Sequence, residues 1–181
     1  MSDTSSFSRT TRILHWAVAA ALFGMISLGL WVASLPSGPL KTSWVQTHKS
    51  FGMLTAALLI LRLGWRMREG WPRHPAASRI EDLLARGTQT ALLLLTLLMP
   101  LTGIMASITY ARPIAVFGFP VIPKLLEEKH ETWNAVAGTA HACIAYAIIA
   151  LVALHIAGAL RHHFILGDAT LDRMMGRRGD F

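Results

Sequence analysis

Residues 135–160 read AVAGTAHACIAYAIIALVALHIAGAL, an apolar run of 26 residues that ends in Arg161-His162-His163-Phe164. It is long enough to cross a bilayer as a helix. Its two histidines, His141 and His155, differ by 14 positions. At about 100° and 1.5 Å per residue, that spacing returns to within about 40° of the starting direction and separates the side chains by roughly 21 Å along the axis. One helix therefore presents two imidazoles on one side at two depths. Ionisable side chains inside a membrane span are costly, and their presence points to function.

Composition agrees with a membrane protein. Of the 181 residues, 53% are hydrophobic and only 15% are charged, an unusual balance for a soluble domain, and the length suits a single domain. The net charge of +7 would suggest nucleic acid in a soluble chain, but in a membrane chain the placement of the charges matters more than their sum. We expect no nucleic-acid partner. The lone cysteine, Cys143, excludes an internal disulfide, a C-x-x-C metal or redox motif, and the C-x-x-C-H attachment of c-type haem.

Three further runs precede the last one, giving expected spans at about 13–35, 48–66, 90–110 and 135–161. The first is too long for a typical signal-peptide core and carries His15 near its start, so it is read as an uncleaved helix. Pro36-Ser37-Gly38-Pro39 ends it. The second ends among Arg62, Arg66 and Arg68, and a basic loop with Trp71-Pro72-Arg73-His74-Pro75, Arg79 and Arg86 follows. The third holds Pro100 and Gly103, tolerable within a membrane helix. Residues 111–132 are expected as a loop, partly apolar and partly charged. Arginines concentrate at the N-terminus, the second-to-third loop and the C-terminus, which by the positive-inside rule puts both termini in the cytoplasm. The expected architecture is an all-α, four-helix transmembrane up-down bundle, one domain over residues 1–181.

In that topology the span histidines match by depth. His15 and His155 share the inner level, and His48 and His141 share the outer one. Two imidazoles at one depth on neighbouring helices are what a six-coordinate haem needs, one from each side of the porphyrin. The pattern predicts two haem b groups, with axial pairs His15/His155 and His48/His141. Gly52, four residues after His48, Gly138, three before His141, and Gly158, three after His155, share faces with these ligands and would let a macrocycle approach the backbone. Close helix packing is the other use of such small residues. Arg62, Arg66 and Arg161 lie at the inner level, where they could pair with haem propionates or serve as topology determinants.

Other chemistries fit less well. Zinc needs three or four ligands at one depth, and these histidines divide two and two. Serine and threonine residues in the spans have no placed base, and no Gly-rich phosphate loop appears. His74 and His130 read as surface residues, and His162 and His163 as interfacial.

The segments Arg12-Ile13-Leu14-His15-Trp16, His48-Lys49-Ser50-Phe51-Gly52 through Leu61-Arg62-Leu63-Gly64-Trp65-Arg66, and Pro100-Leu101-Thr102-Gly103 form a recognisable set. So does His155-Ile156-Ala157-Gly158-Ala159-Leu160-Arg161-His162-His163-Phe164 with Asp168 and Leu171-Asp172-Arg173-Met174. Together they resemble the small bacterial cytochrome b561 proteins, four-helix di-haem cytochromes of the inner membrane. The resemblance implies axial ligation by His15, His48, His141 and His155, and electron transfer between the ubiquinone pool and a periplasmic one-electron partner. One branch of the family is similar to a superoxide oxidase, which makes superoxide a candidate donor. This chain departs from its relatives at Arg86-Gly87-Thr88-Gln89, where many have a histidine, and at residues 133–138, which lack the lysine and acidic residues of that branch. The alternatives are a cytochrome b subunit of a larger hydrogenase- or formate dehydrogenase-like complex, and a haem-free membrane protein whose histidines only pack. The sequence assigns no oligomeric state.

Overall fold

Ser8 opens the first helix by accepting a bond from the Thr11 amide at 3.1 Å, the usual way to satisfy an N-terminal N–H. The structure, a computed structural model, describes residues 7–70 and 79–176. Helix α1 spans Arg9–Ser34 and stops before the Pro/Gly cluster. Helix α2, Pro39–Glu69, begins on the proline, whose missing N–H costs nothing in the first turn. Gly70, at φ 83°, closes it. Helix α3 spans Arg79–Thr109 with Pro100 inside, and α4 spans Glu131–Phe164. Between them, β1 (Ile114–Val116) pairs antiparallel with β2 (Phe119–Ile122). The two-residue connection, Phe117-Gly118, has positive φ at both positions, as primed hairpin turns require. A short helix α5, Thr170–Met175, follows α4.

Helices α1 to α4 cover the expected spans except for Leu35 and Tyr110, which fall just past the ends of α1 and α3, and three expectations change. Residues 79–89, expected in the basic loop, are helical. Glu81 and Asp82 sit in the first turn of α3, where the helix dipole favours acids, and Asp82 bridges Arg86 at 2.7 Å one turn on. The expected 111–132 loop contains the β hairpin, and the C-terminal tail contains α5. His74 falls outside the described residues.

Helices α1, α3 and α4 are long and apolar enough to cross a membrane. Helix α2 has 31 residues but a lower mean hydropathy, because His48, Lys49, Arg62, Arg66 and Arg68 dilute its apolar centre. Packing joins α1 to α2 and α3 to α4, with a lighter α2–α3 contact. The partners in each pair run antiparallel, and contacts pin their ends. Trp65 Nε1 donates to Thr11 Oγ1 at 3.1 Å, and the Thr11 hydroxyl donates to Glu69. Asn134 Nδ2 donates to the Ala106 carbonyl at 2.8 Å, holding the start of α4 on the end of α3.

Few apolar side chains are buried among the described residues: Val18, Leu59, Ile114, Ala137 and Ile148. Small polar residues such as Ser50, Thr96, Ser107 and Thr109 are buried with them, while Phe23, Trp31, Ile60, Leu101 and Tyr146 face outward. That inversion suits a chain solvated by lipid, where helices meet through small residues and side-chain hydrogen bonds. The hairpin rests on α2 through Ser50, whose Oγ accepts from the Phe117 amide at 3.0 Å. Phe51 meets Phe117 edge-on at 5.2 Å.

Candidate functional site

Helix α4 carries His141, Ile148 and His155 at steps of seven, so all three lie close to one face. Ile148 is the most completely buried side chain, 1% exposed. It separates two levels, and at each level a histidine from another helix meets the one on α4. The His15 and His155 ring centres are 6.2 Å apart with planes at 53°. Those of His48 and His141 are also 6.2 Å apart, with planes at 80°. The depth matching expected from the sequence is therefore present as proximity.

The spacing has a chemical reading. A metal–imidazole bond is about 2 Å, and a ring nitrogen lies about 1.1 Å from its ring centre, so two imidazoles on one metal have centres roughly 6.2 Å apart. Among the described residues no group of three or more His, Cys, Asp or Glu converges. Each level thus offers two side-chain donors, and a macrocycle that supplies the other four fits that donor set. A Cβ added at Gly138 or Gly158 would meet nothing within 4 Å, so the space expected beside these glycines is open.

Gly52 does not share that environment. A Cβ there would meet the Met25 methyl of α1 at 3.4 Å, so Gly52 serves the α1–α2 contact. The glycines that touch ligand candidates are Gly29, which the sequence did not single out, and Gly103, which it marked only as part of the third-span segment. A Cβ at Gly29 of α1 would lie 3.3 Å from His48 Cε1, and one at Gly103 of α3 would lie 3.2 Å from His141 Cε1. Both rings press against bare backbone, where an added Cβ would make the ring give way by a few tenths of an ångström. On the same α3 segment, Thr102 Oγ1 lies 3.0 Å from His141 Nδ1. The Nδ1 of His48 is buried with no hydrogen-bond partner among the described residues.

Two of the inner-level arginines have partners within the protein. An Arg62 guanidinium nitrogen lies 2.9 Å from His15 Nδ1. Guanidinium only donates, so Nδ1 accepts and the ring proton sits on Nε2. Ligation through Nε2 requires that contact to open. Arg161, read as a propionate partner or a topology determinant, bridges Glu81 at 2.6 Å. It does so because α3 begins earlier than expected and brings Glu81 alongside the end of α4.

His162 and His163 are tied down rather than free at the interface. His162 Nδ1 bonds Asp168 at 2.5 Å, and His163 Nδ1 lies 3.6 Å from Asp172. These contacts, with Trp16 Nε1 donating to the Met174 carbonyl at 3.1 Å, dock α5 beside the His15 level. His130 caps α4 by accepting from the Trp133 amide and is exposed, as expected of a surface residue. Burial pushes the Asp168 carboxyl up, but bonds from Thr170 and His162 outweigh it and hold the group below its ordinary value of 3.8. A depressed folded-state pKa contributes stability above the unfolded value and loses it as pH falls through the folded one. Docking of α5 should therefore persist down to about pH 4 and loosen only in stronger acid, measured as hydrogen exchange over residues 170–175. Asp168→Asn should abolish that pH dependence.

Comparison with known proteins identifies the family. The family model described as prokaryotic cytochrome b561 matches residues 6–177. The chain is 34% identical over 168 residues to cytochrome b561 homolog 2 of Escherichia coli, covering 90% of this chain and 87% of that protein. It is 30% identical over 185 residues to cytochrome b561 homolog 1 of the same organism, covering 95% and 98%. Cytochrome b562 of Cereibacter sphaeroides is 27% identical over 183 residues, covering 98% and 100%. The chain belongs to the prokaryotic cytochrome b561 family: it is a membrane cytochrome of the haem b type, and its role is electron transfer.

Proposed function

We propose that this cytochrome holds two haem b groups, one between His15 and His155 and one between His48 and His141. It would pass electrons between the ubiquinone pool and a one-electron partner on the periplasmic side, with superoxide as a candidate donor. The observation that carries this reading is the repeated 6.2 Å separation of histidine rings at two levels of one helix face. In the proposed topology α2 completes a four-helix up-down bundle in the bacterial inner membrane, with both termini cytoplasmic. The supporting observation is the arginine excess at one end, which holds Arg9, Arg12, Arg62, Arg66, Arg68 and Arg161.

Haem b supplies reversible one-electron chemistry. The chain's residues hold it, keep water away and set the path. His48 and His141 lie beside the hairpin end, nearest an external partner, and His15 and His155 lie beside the arginine-rich end. Ile148 and its apolar neighbours fill the layer between the levels, and a dry, low-dielectric layer strengthens the electrostatic coupling between charges held at the two sites. The direction of transfer follows from the potentials of the two partners, because the geometry is symmetric for entry from either end.

Stopped-flow mixing of the purified, oxidised protein with superoxide in one experiment and with ubiquinol in the other tests the reading. Rapid reduction by superoxide, with re-oxidation by ubiquinone, is the expected result. Reduction by neither reagent, together with co-purification of a soluble redox subunit, would favour the alternative, a cytochrome b subunit of a larger hydrogenase- or formate dehydrogenase-like complex.

A further inference from the structure

Helix α3 contributes no histidine, yet its Met99–Gly103 stretch is the part of the molecule that grips His141. Thr102 Oγ1 lies 2.8 Å from the Met99 carbonyl and 3.0 Å from His141 Nδ1. A carbonyl only accepts, so the single hydroxyl proton goes to Met99, and the oxygen then faces the imidazole with a lone pair. His141 Nδ1 must carry the ring proton and donate it. That leaves Nε2 as the basic nitrogen. Back-bonding to the preceding turn is common for threonine in membrane helices, and Thr55 and Thr96 do it here. Thr102 differs because its remaining lone pair meets a ring nitrogen. Gly103, one position on, lets that ring lie against the helix, since a Cβ would sit 3.2 Å from Cε1 and 3.5 Å from Nδ1. Gly29 does the same for His48 from the opposite side.

We infer that Thr102 and Gly103 are positioning residues for the outer imidazole pair: Thr102 fixes the His141 tautomer, and Gly103, opposed by Gly29, holds the two ring planes near perpendicular. The inference rests on the reading of His48 and His141 as ligands of one haem. A hydrogen bond accepted from the far nitrogen of a ligating histidine raises the ligand's basicity. A more basic ligand favours the ferric state, so losing the bond raises the midpoint potential.

The test is a redox titration of purified, detergent-solubilised protein with haem content measured in parallel. Thr102→Val should keep two haems per chain and move one midpoint upward while the other stays. Thr102→Ser should restore the original value, and Thr102→Ala, which adds no bulk, should reproduce the valine shift. Gly103→Ala should keep the fold but alter the ferric low-spin resonance of one haem, because that signal depends on the angle between the axial ring planes. Two haems with unmoved midpoints in both Thr102→Val and Thr102→Ala, or an unaltered resonance in Gly103→Ala, would overturn the inference. Fewer than two haems in the unmodified protein would instead overturn the ligand reading on which it stands.

Discussion

Replacing His141 by alanine is expected to leave one haem b per chain in place of two. The loss reads directly as half the acid-acetone-extractable haem and about half of the reduced b-type absorbance. The reason is the strict pairing at each level. His48 and His141 face one another at 6.2 Å, and no third His, Cys, Asp or Glu among the described residues stands ready to replace either. His15→Ala should remove the other haem, and the double variant should hold none. The two losses should be separable, because Ile148 and its neighbours keep the pairs a full 14 residues apart on α4. An unchanged haem content in His141→Ala would refute the pairing, and a haem-free unmodified protein would leave the histidines as packing residues.

Ile148→Ala carries the largest expected cost to stability among changes that leave the ligands intact. Large-to-small changes at a fully buried isoleucine cost about 2–5 kcal/mol. In lipid the transfer of the side chain from water drops out and the lost packing remains, which places this variant toward the lower part of that range. The variant opens a cavity between the two histidine levels, so haem release in a denaturing-detergent titration should begin at a lower detergent fraction. Ile156→Ala, at a position 40% exposed on the same helix, is the control and should shift the midpoint little. Equal shifts in the two variants would show that Ile148 is not the packing centre of the bundle.

The long-range order of the molecule was legible in its sequence because membrane helices obey strict local rules. Apolar length marks a span, Pro-Gly clusters end it, and arginines mark one side. A helical period then sorts histidines by depth without any tertiary information, which is why the His15/His155 and His48/His141 matching could be expected. The ends of the elements were less legible. Residues 79–89 carry charge without strong apolar periodicity, and they fold as helix because Glu81, Asp82 and Arg86 satisfy its dipole and its side-chain spacing. The hairpin at 114–122 was hidden because a short apolar run that holds Pro120 and is flanked by Pro113 and Pro123 resembles a loop.

The details of the site were not legible at all. Gly29 and Gly103 are far from their histidines in sequence, separated by 19 and 38 positions, and only the crossing of helices brings backbone against ring. Arg62 and Arg161 were placed at the right level by spacing, but their partners, His15 and Glu81, depend on which helices neighbour which. For the helix that opened the sequence reading, the 14-residue period alone determined two imidazoles on one side at two depths. The tertiary structure decided what stands opposite and behind them: the facing rings, Thr102, and the bare backbone of Gly103. The physical reason is that periodicity fixes direction within one helix, whereas contact requires two helices to choose a register, and that choice is made by packing across the whole bundle.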